Sequence, residues 1–202
     1  AKRHLIVQTY VCNPWFGIDN GDFIIPKDAD GNGNNYMSVE FHFYQPWSYA
    51  GYPDTGDRYD YWGDKYKDAG EKVPAENEKW MTDFFEKVVN TWSSQGLGIV
   101  IGEWGVTNRN TSNPGEVQSN MSYYCNFLTK EAHDRGFSTF VWDNNKFAYG
   151  PENYGIFDRR NSMTVNASWI LKGINKPEGL KGYEDISIKH CVNAGKIFAE
   201  SN

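Results

Sequence analysis

Two long amphipathic stretches set between short β-branched runs constrain this chain more than any other feature. Residues 75–94 carry Trp80, Phe84, Val88 and Trp92 at four-residue intervals, with Gly96 where a helix would stop. Residues 114–135 carry Val117, Met121, Tyr124, Leu128 and Ala132 as a second stripe, opened by Pro114 and closed by Gly136. Around them lie four strand candidates, at residues 4–8, 39–44, 98–103 and 138–143. Strands that alternate with helices predict a parallel α/β sheet, because parallel neighbours need a crossover between them rather than a hairpin. A short helix is predicted over residues 166–174 and a weaker amphipathic stretch over residues 183–200. The pattern leaves open which of these two closes the last crossover.

Between the regular elements run four long segments, residues 11–37, 45–74, 105–113 and 144–165. Segments of that length in a compact domain are usually functional, and in a parallel α/β fold those at the strand C-termini build the site. Aromatic residues make up 16% of the chain, and many stand in Gly/Asn/Asp-rich stretches rather than in the helical stripes. Rings beside amides and carboxylates suit sugars, whose C–H faces stack and whose hydroxyls need hydrogen bonds. A net charge of −6 argues against nucleic acid or an anionic membrane as partner, and no apolar run is long enough to span a bilayer. Cys12, Cys125 and Cys191 are odd in number and widely spaced, so neither a disulfide framework nor a zinc motif is predicted, and no cofactor or metal is expected. The run Asp28-Ala-Asp-Gly-Asn-Gly33 resembles the start of a calcium loop, but the acid that should close it, Glu40, arrives one residue late and on a strand. It reads as a surface turn.

The strands carry the chemistry. Alternation in residues 39–44 puts Glu40, His42 and Tyr44 on one face and Val39, Phe41 and Phe43 on the other. The same parity on the third strand groups Ile99, Ile101 and Glu103 and turns Trp104 away. A carboxylate at the end of the run Ile99-Val-Ile-Gly-Glu103 is costly to bury, which marks the mouth of a site. The fourth strand ends on Trp142-Asp-Asn144-Asn.

Taken together, His42-x-Tyr44, Ile-Gly-Glu103-Trp-Gly and Val-Trp142-Asp-Asn resemble strands six, seven and eight of glycoside hydrolase family 5, nearest its bacterial endo-β-1,4-glucanase and xyloglucanase branch. Tyr61-Trp62-Gly63 and Tyr154-Gly-Ile-Phe-Asp158-Arg159 support the resemblance, which covers residues 4 to about 174. It implies a TIM (β/α)8 barrel, of which this chain carries roughly strands five to eight, and endo-acting, retaining hydrolysis of β-1,4-linked polysaccharide. Glu103 would be the nucleophile that forms the glycosyl-enzyme. Tyr44 would hydrogen-bond its carboxylate, His42 would orient the acid/base pair and the substrate, and Trp142 would be the platform under the sugar. Trp47, Trp62 and Asn144 would contact sugars further along the cleft.

The chain departs from the family in one respect. The Asn-Glu-Pro motif that supplies the acid/base is absent, and Asn13-Pro14 lacks the glutamate. A full barrel takes about 250 residues and eight strands, so residues 1–176 read as the C-terminal half of a catalytic barrel and residues 177–202 as an extension packed upon it. The beginning at Ala1-Lys-Arg-His reads as a cut into a longer protein. The expected partners are a β-1,4-linked polysaccharide and the barrel's N-terminal half, or a second copy of this chain. The expected location is secreted, periplasmic or at the surface of a bacterial cell. The competing reading is a polysaccharide-binding fragment without catalysis.

Overall fold

The computed structural model describes residues 3–21, 23–27 and 34–175. The turn-rich run at residues 28–33 and the amphipathic stretch at residues 183–200 lie outside them, as does the proposed extension.

Four strands form one parallel sheet in the order β1-β2-β3-β4. They are β1 (Leu5–Gln8), β2 (Met37–Phe43), β3 (Gly98–Trp104) and β4 (Ser138–Val141). Short helices α1 (Pro14–Ile18), α2 (Trp47–Ala50) and α3 (Asp64–Asp68) interrupt segments that the sequence pattern reads as loops. One helical turn is too short to show a 3.6-residue period. The two crossover helices are α4 (Glu78–Thr91) and α5 (Pro114–Asp134), and α6 (Ser168–Asn175) follows β4. A two-stranded hairpin, β5 (Phe157–Asp158) and β6 (Thr164–Val165), folds the segment after β4 back on itself.

Local chemistry accounts for the helix limits. Asn77 caps α4, its side chain accepting from the Trp80 N–H at 3.1 Å. Beyond Thr91 a single 3-10 turn ends at Gly96, whose φ of +80° is the left-handed conformation glycine adopts without a Cβ clash. The whole stripe read from α5, Val117, Met121, Tyr124, Leu128 and Ala132, is buried. Asn120 is buried among them with its amide satisfied: Oδ1 accepts from the Tyr49 hydroxyl at 2.7 Å and the Trp62 N–H at 3.0 Å, and Nδ2 donates to the Trp62 carbonyl at 2.8 Å. Helix α6 lies against α5: the Ser122 hydroxyl donates to the Trp169 carbonyl, Asn126 Nδ2 donates to the Gly173 carbonyl at 3.2 Å, and a Cβ on Gly173 would meet the Ser122 carbonyl oxygen at 2.4 Å. It therefore fills the last crossover position, the question the sequence pattern leaves open.

The helices cover one face of the sheet. Val39, Phe41, Phe43, Ile99, Ile101 and Trp104 are buried there with Phe84, Phe85 and Val88 of α4. Polar residues of β2 line the other face, and the outer strands expose Leu5, Ile6 and Phe140. Parallel sheets are normally covered on both faces, and unpaired edges invite pairing. This is the arrangement of a barrel segment: an outer face packed on helices, and an inner face and two edges left open among the described residues.

Candidate active site

A β-bulge places the acid. The register runs Phe41↔Ile101 and then His42↔Glu103, so β3 carries one extra residue, Gly102, relative to β2. The β3–β4 register shifts over the same stretch. This corrects the parity expected for the third strand. Ile99 and Ile101 do not share a face with Glu103; they lie in the helix-covered core. The bulge re-aims the strand so that Glu103 comes up beside His42 while Trp104 turns into the core opposite Phe43. Gly102 is the residue that fits the inserted position: a Cβ there would sit 1.9 Å from Glu40 Oε1.

Two side chains converge on Glu103. The Tyr44 hydroxyl donates to Glu103 Oε2 at 2.9 Å, and His42 Nδ1 lies 3.3 Å from the same oxygen. On its other side His42 Nε2 faces Glu40 Oε1 at 3.1 Å, so the imidazole bridges two carboxylates with an acceptor at each nitrogen. Burial first, and then its bond to Glu103, hold the Tyr44 phenol far above the ordinary tyrosine value, so it acts as a standing O–H donor. Glu40, read from the sequence as deeper in its strand, is indeed almost wholly buried; its Oε2 is sealed from solvent without a hydrogen-bond partner. Cys12, at the end of the turn after β1, completes the group, with a ligand atom from each of Cys12, Glu40 and His42 within 4.8 Å of one another. Burial, and then the Glu40 and Glu103 carboxylates, push its thiol up. Sequence spacing gave no sign of this juxtaposition, since Cys12 and Glu40 meet only through strand pairing.

The other candidates divide. Trp142 is 38% exposed and follows β4 directly, its N–H bonded to the Trp104 carbonyl at 2.7 Å. Trp47 is 44% exposed and stands edge-on to Tyr44, with ring centroids 6.4 Å apart. Trp62 is not a cleft residue. It is fully buried, wedged against Tyr123, Tyr124 and Phe127, and its indole N–H donates to the Glu76 carbonyl at 2.7 Å. Asn144 is committed to its own loop: Nδ2 donates to the Glu152 carbonyl at 2.9 Å, and Oδ1 accepts from the Lys146 and Tyr154 N–H groups, each at 3.2 Å.

The neighbouring residues brace this frame. Asp143 accepts from the N–H groups of Asn145, Ile156 and Phe157 and pairs with Arg159 at 3.1 Å, fixing the segment after β4. Arg109 is buried after β3, its guanidinium donating to the Tyr59 and Tyr49 carbonyls at 2.7 and 2.8 Å between the rings of Tyr49 and Tyr52. It ties the segment after β2 to the segment after β3. Nothing in its local sequence pattern announces that role.

Comparison with known proteins bears on what this frame is. The family model for cellulase, glycosyl hydrolase family 5, matches residues 1–148. The chain belongs to glycosyl hydrolase family 5. Its relatives include endoglucanase B of Clostridium cellulovorans, 29% identical over 162 residues, which cover 80% of this chain and 32% of that protein. Another is endoglucanase A of Paenibacillus barcinonensis, 23% identical over 180 residues, covering 85% of this chain and 43% of the relative. Among solved structures, a family 5 cellulase of Bacteroidetes affiliation superposes with a TM-score of 0.71 at 22% identity, over 96% of this chain and 45% of that one. A family 5 broad-specificity endoglucanase from Bacteroides salanitronis gives 0.70 at 29% identity, over 85% and 43%. The fold is thus part of a family 5 TIM barrel, and the chain spans less than half the length of these relatives.

Proposed function

We propose that this chain is the nucleophile-bearing half of an endo-acting, retaining β-1,4-glucan hydrolase. The observation that carries the reading is the convergence of Tyr44 O–H and His42 Nδ1 on one oxygen of Glu103, on the sheet face opposite the helices. A carboxylate held by two fixed neighbours is oriented before substrate arrives, which removes reorganisation from the barrier. With Oε2 held, Oε1 attacks the anomeric carbon and forms the glycosyl-enzyme. Trp142 stacks on the sugar beside the cleaved bond, and Trp47 extends the aromatic surface.

Retention requires a second carboxyl group about 5–5.5 Å from the first, to protonate the leaving oxygen and then activate water. Glu40 does not fill that role: it is buried beneath His42 rather than beside the sugar. The acid/base comes from the strands that complete the barrel against the exposed edges β1 and β4. A polymeric substrate places the enzyme outside the cytoplasm. Among the described residues no helix is long and apolar enough to cross a membrane.

The test is to assay hydrolysis of a soluble β-1,4-glucan by the chain alone and after adding a polypeptide bearing strands one to four of a family 5 barrel. The reading predicts negligible turnover alone, turnover on complementation, and loss of that turnover in Glu103→Gln. Turnover by the chain alone would refute the half-site reading. Glycan affinity without turnover in a well-folded complemented barrel would favour a polysaccharide-binding role instead.

A further inference from the structure

We propose that Cys12, Glu40 and His42 form a binding site for a borderline-soft divalent cation, Zn2+, directly beneath the nucleophile. Two neighbouring elements contribute the three donors: the turn after β1 brings a thiol, and β2 brings a carboxylate and an imidazole. Their ligand atoms lie within 4.8 Å of one another, and His42 Nε2 is already 3.1 Å from Glu40 Oε1. Tetrahedral zinc, with bonds of about 2.0–2.3 Å to N, O and S, spaces its ligand atoms roughly 3.3–3.7 Å apart, so small side-chain rotations close the site.

A second observation is independent of that spacing. The Glu40 side chain is only 10% exposed, and its Oε2 has no hydrogen-bond partner. A buried carboxylate oxygen without a partner is expensive, and a bound cation removes the expense. The donor set selects the metal class. One thiolate, one imidazole and one carboxylate suit zinc, whereas calcium and magnesium need several oxygens. Three protein ligands leave the fourth position to water.

The geometry also supplies an outer shell. With Nε2 on the metal, His42 Nδ1–H points to Glu103 Oε2 at 3.3 Å, the carboxylate–histidine–zinc arrangement that fixes a ligand's tautomer. The bound cation would engage the same imidazole that contacts the nucleophile. Inhibition of the completed enzyme by Zn2+ is therefore expected if the reading of Glu103 above holds, but binding itself does not depend on that reading.

Binding is measured on the chain alone, by Zn2+ competition against a chromophoric chelator and by Co2+ absorption as a spectroscopic stand-in. The wild-type chain should bind one ion with a thiolate-to-cobalt charge-transfer band and release a proton as the thiol ionises. Cys12→Ser should abolish that band. Cys12→Ser and Glu40→Gln should each weaken Zn2+ binding by at least the roughly 10–100-fold that loss of a mere outer-shell partner produces, with native circular dichroism confirming that each variant folds. Unchanged Zn2+ affinity or a surviving sulfur band in folded Cys12→Ser would overturn the proposal. So would failure of the folded wild-type chain to bind.

Discussion

Replacing Gly102 by alanine would put a methyl carbon 1.9 Å from Glu40 Oε1, 2.7 Å from its Cδ and 3.0 Å from its Cγ. Gly102 is not among the glycines with positive φ, so the difficulty is spatial rather than conformational. Either Glu40 swings away from His42 or the bulge that presents Glu103 flattens. Overpacking of this kind costs about 1–3 kcal/mol, and loss of a hydrogen bond to a charged group adds about 1.5–3 kcal/mol. The 25% exposure of the His42 side chain favours the lower part of that second range, so a total of about 2.5–5 kcal/mol is expected. Glu40→Ala empties the space the methyl needs, and on that background Gly102→Ala should cost less than about 1 kcal/mol. Urea unfolding of the wild type, both single variants and the double variant gives the coupling directly. Additivity within about 0.5 kcal/mol would refute the claim that Glu40 and the Gly102 bulge are mutually fitted.

The remaining predictions follow from other parts of the frame. Tyr49 and Tyr124 are fully buried, and burial holds both phenols well above the ordinary value. The folded state keeps protons that the unfolded chain loses above pH ~10, so their contribution is intact below pH ~10 and falls above it by about 2.7 kcal/mol per pH unit for the pair. Tyrosinate absorbance from these residues should rise together with loss of circular dichroism; titration with structure intact would contradict their burial. Arg109→Lys loses the fork that spans two carbonyls and the stacking between two rings, and should destabilise by roughly 2–3 kcal/mol in urea; a shift below about 0.5 kcal/mol would mean that the guanidinium is not the tie described. Trp62→Ala should cost about 3–5 kcal/mol of stability, whereas Trp142→Ala should leave stability nearly unchanged and weaken glycan binding by the completed enzyme. The reverse pattern, read by unfolding and by glycan titration, would exchange their roles.

Much of this architecture is legible in the sequence. The two amphipathic stripes marked α4 and α5, and alternation on β2 separated His42 and Tyr44 from Val39, Phe41 and Phe43, because those segments keep strict periods. What failed did so for identifiable reasons. Counting by twos cannot see a bulge, so Ile99 and Ile101 were expected beside Glu103 rather than behind it. Exposure of a loop aromatic cannot be read from its neighbours, and Trp62 proved to be core because Asn120 and the Glu76 carbonyl pin it there. Asn144 is a loop residue whose amide serves its own loop. Cys12 lies in the turn after β1 and Glu40 on β2, and only pairing of β1 with β2 brings them under His42.

The central claim is that Glu103 is the attacking carboxylate, and trapping tests it most directly. The complemented barrel would be treated with a fluorinated cellobioside carrying an activated leaving group, which slows breakdown of a glycosyl-enzyme, and then digested for mass spectrometry. The account predicts one added glycosyl unit on the peptide that contains Glu103, absent in Glu103→Gln. A turning-over enzyme that carries the label on another residue, or no label at all, would contradict it.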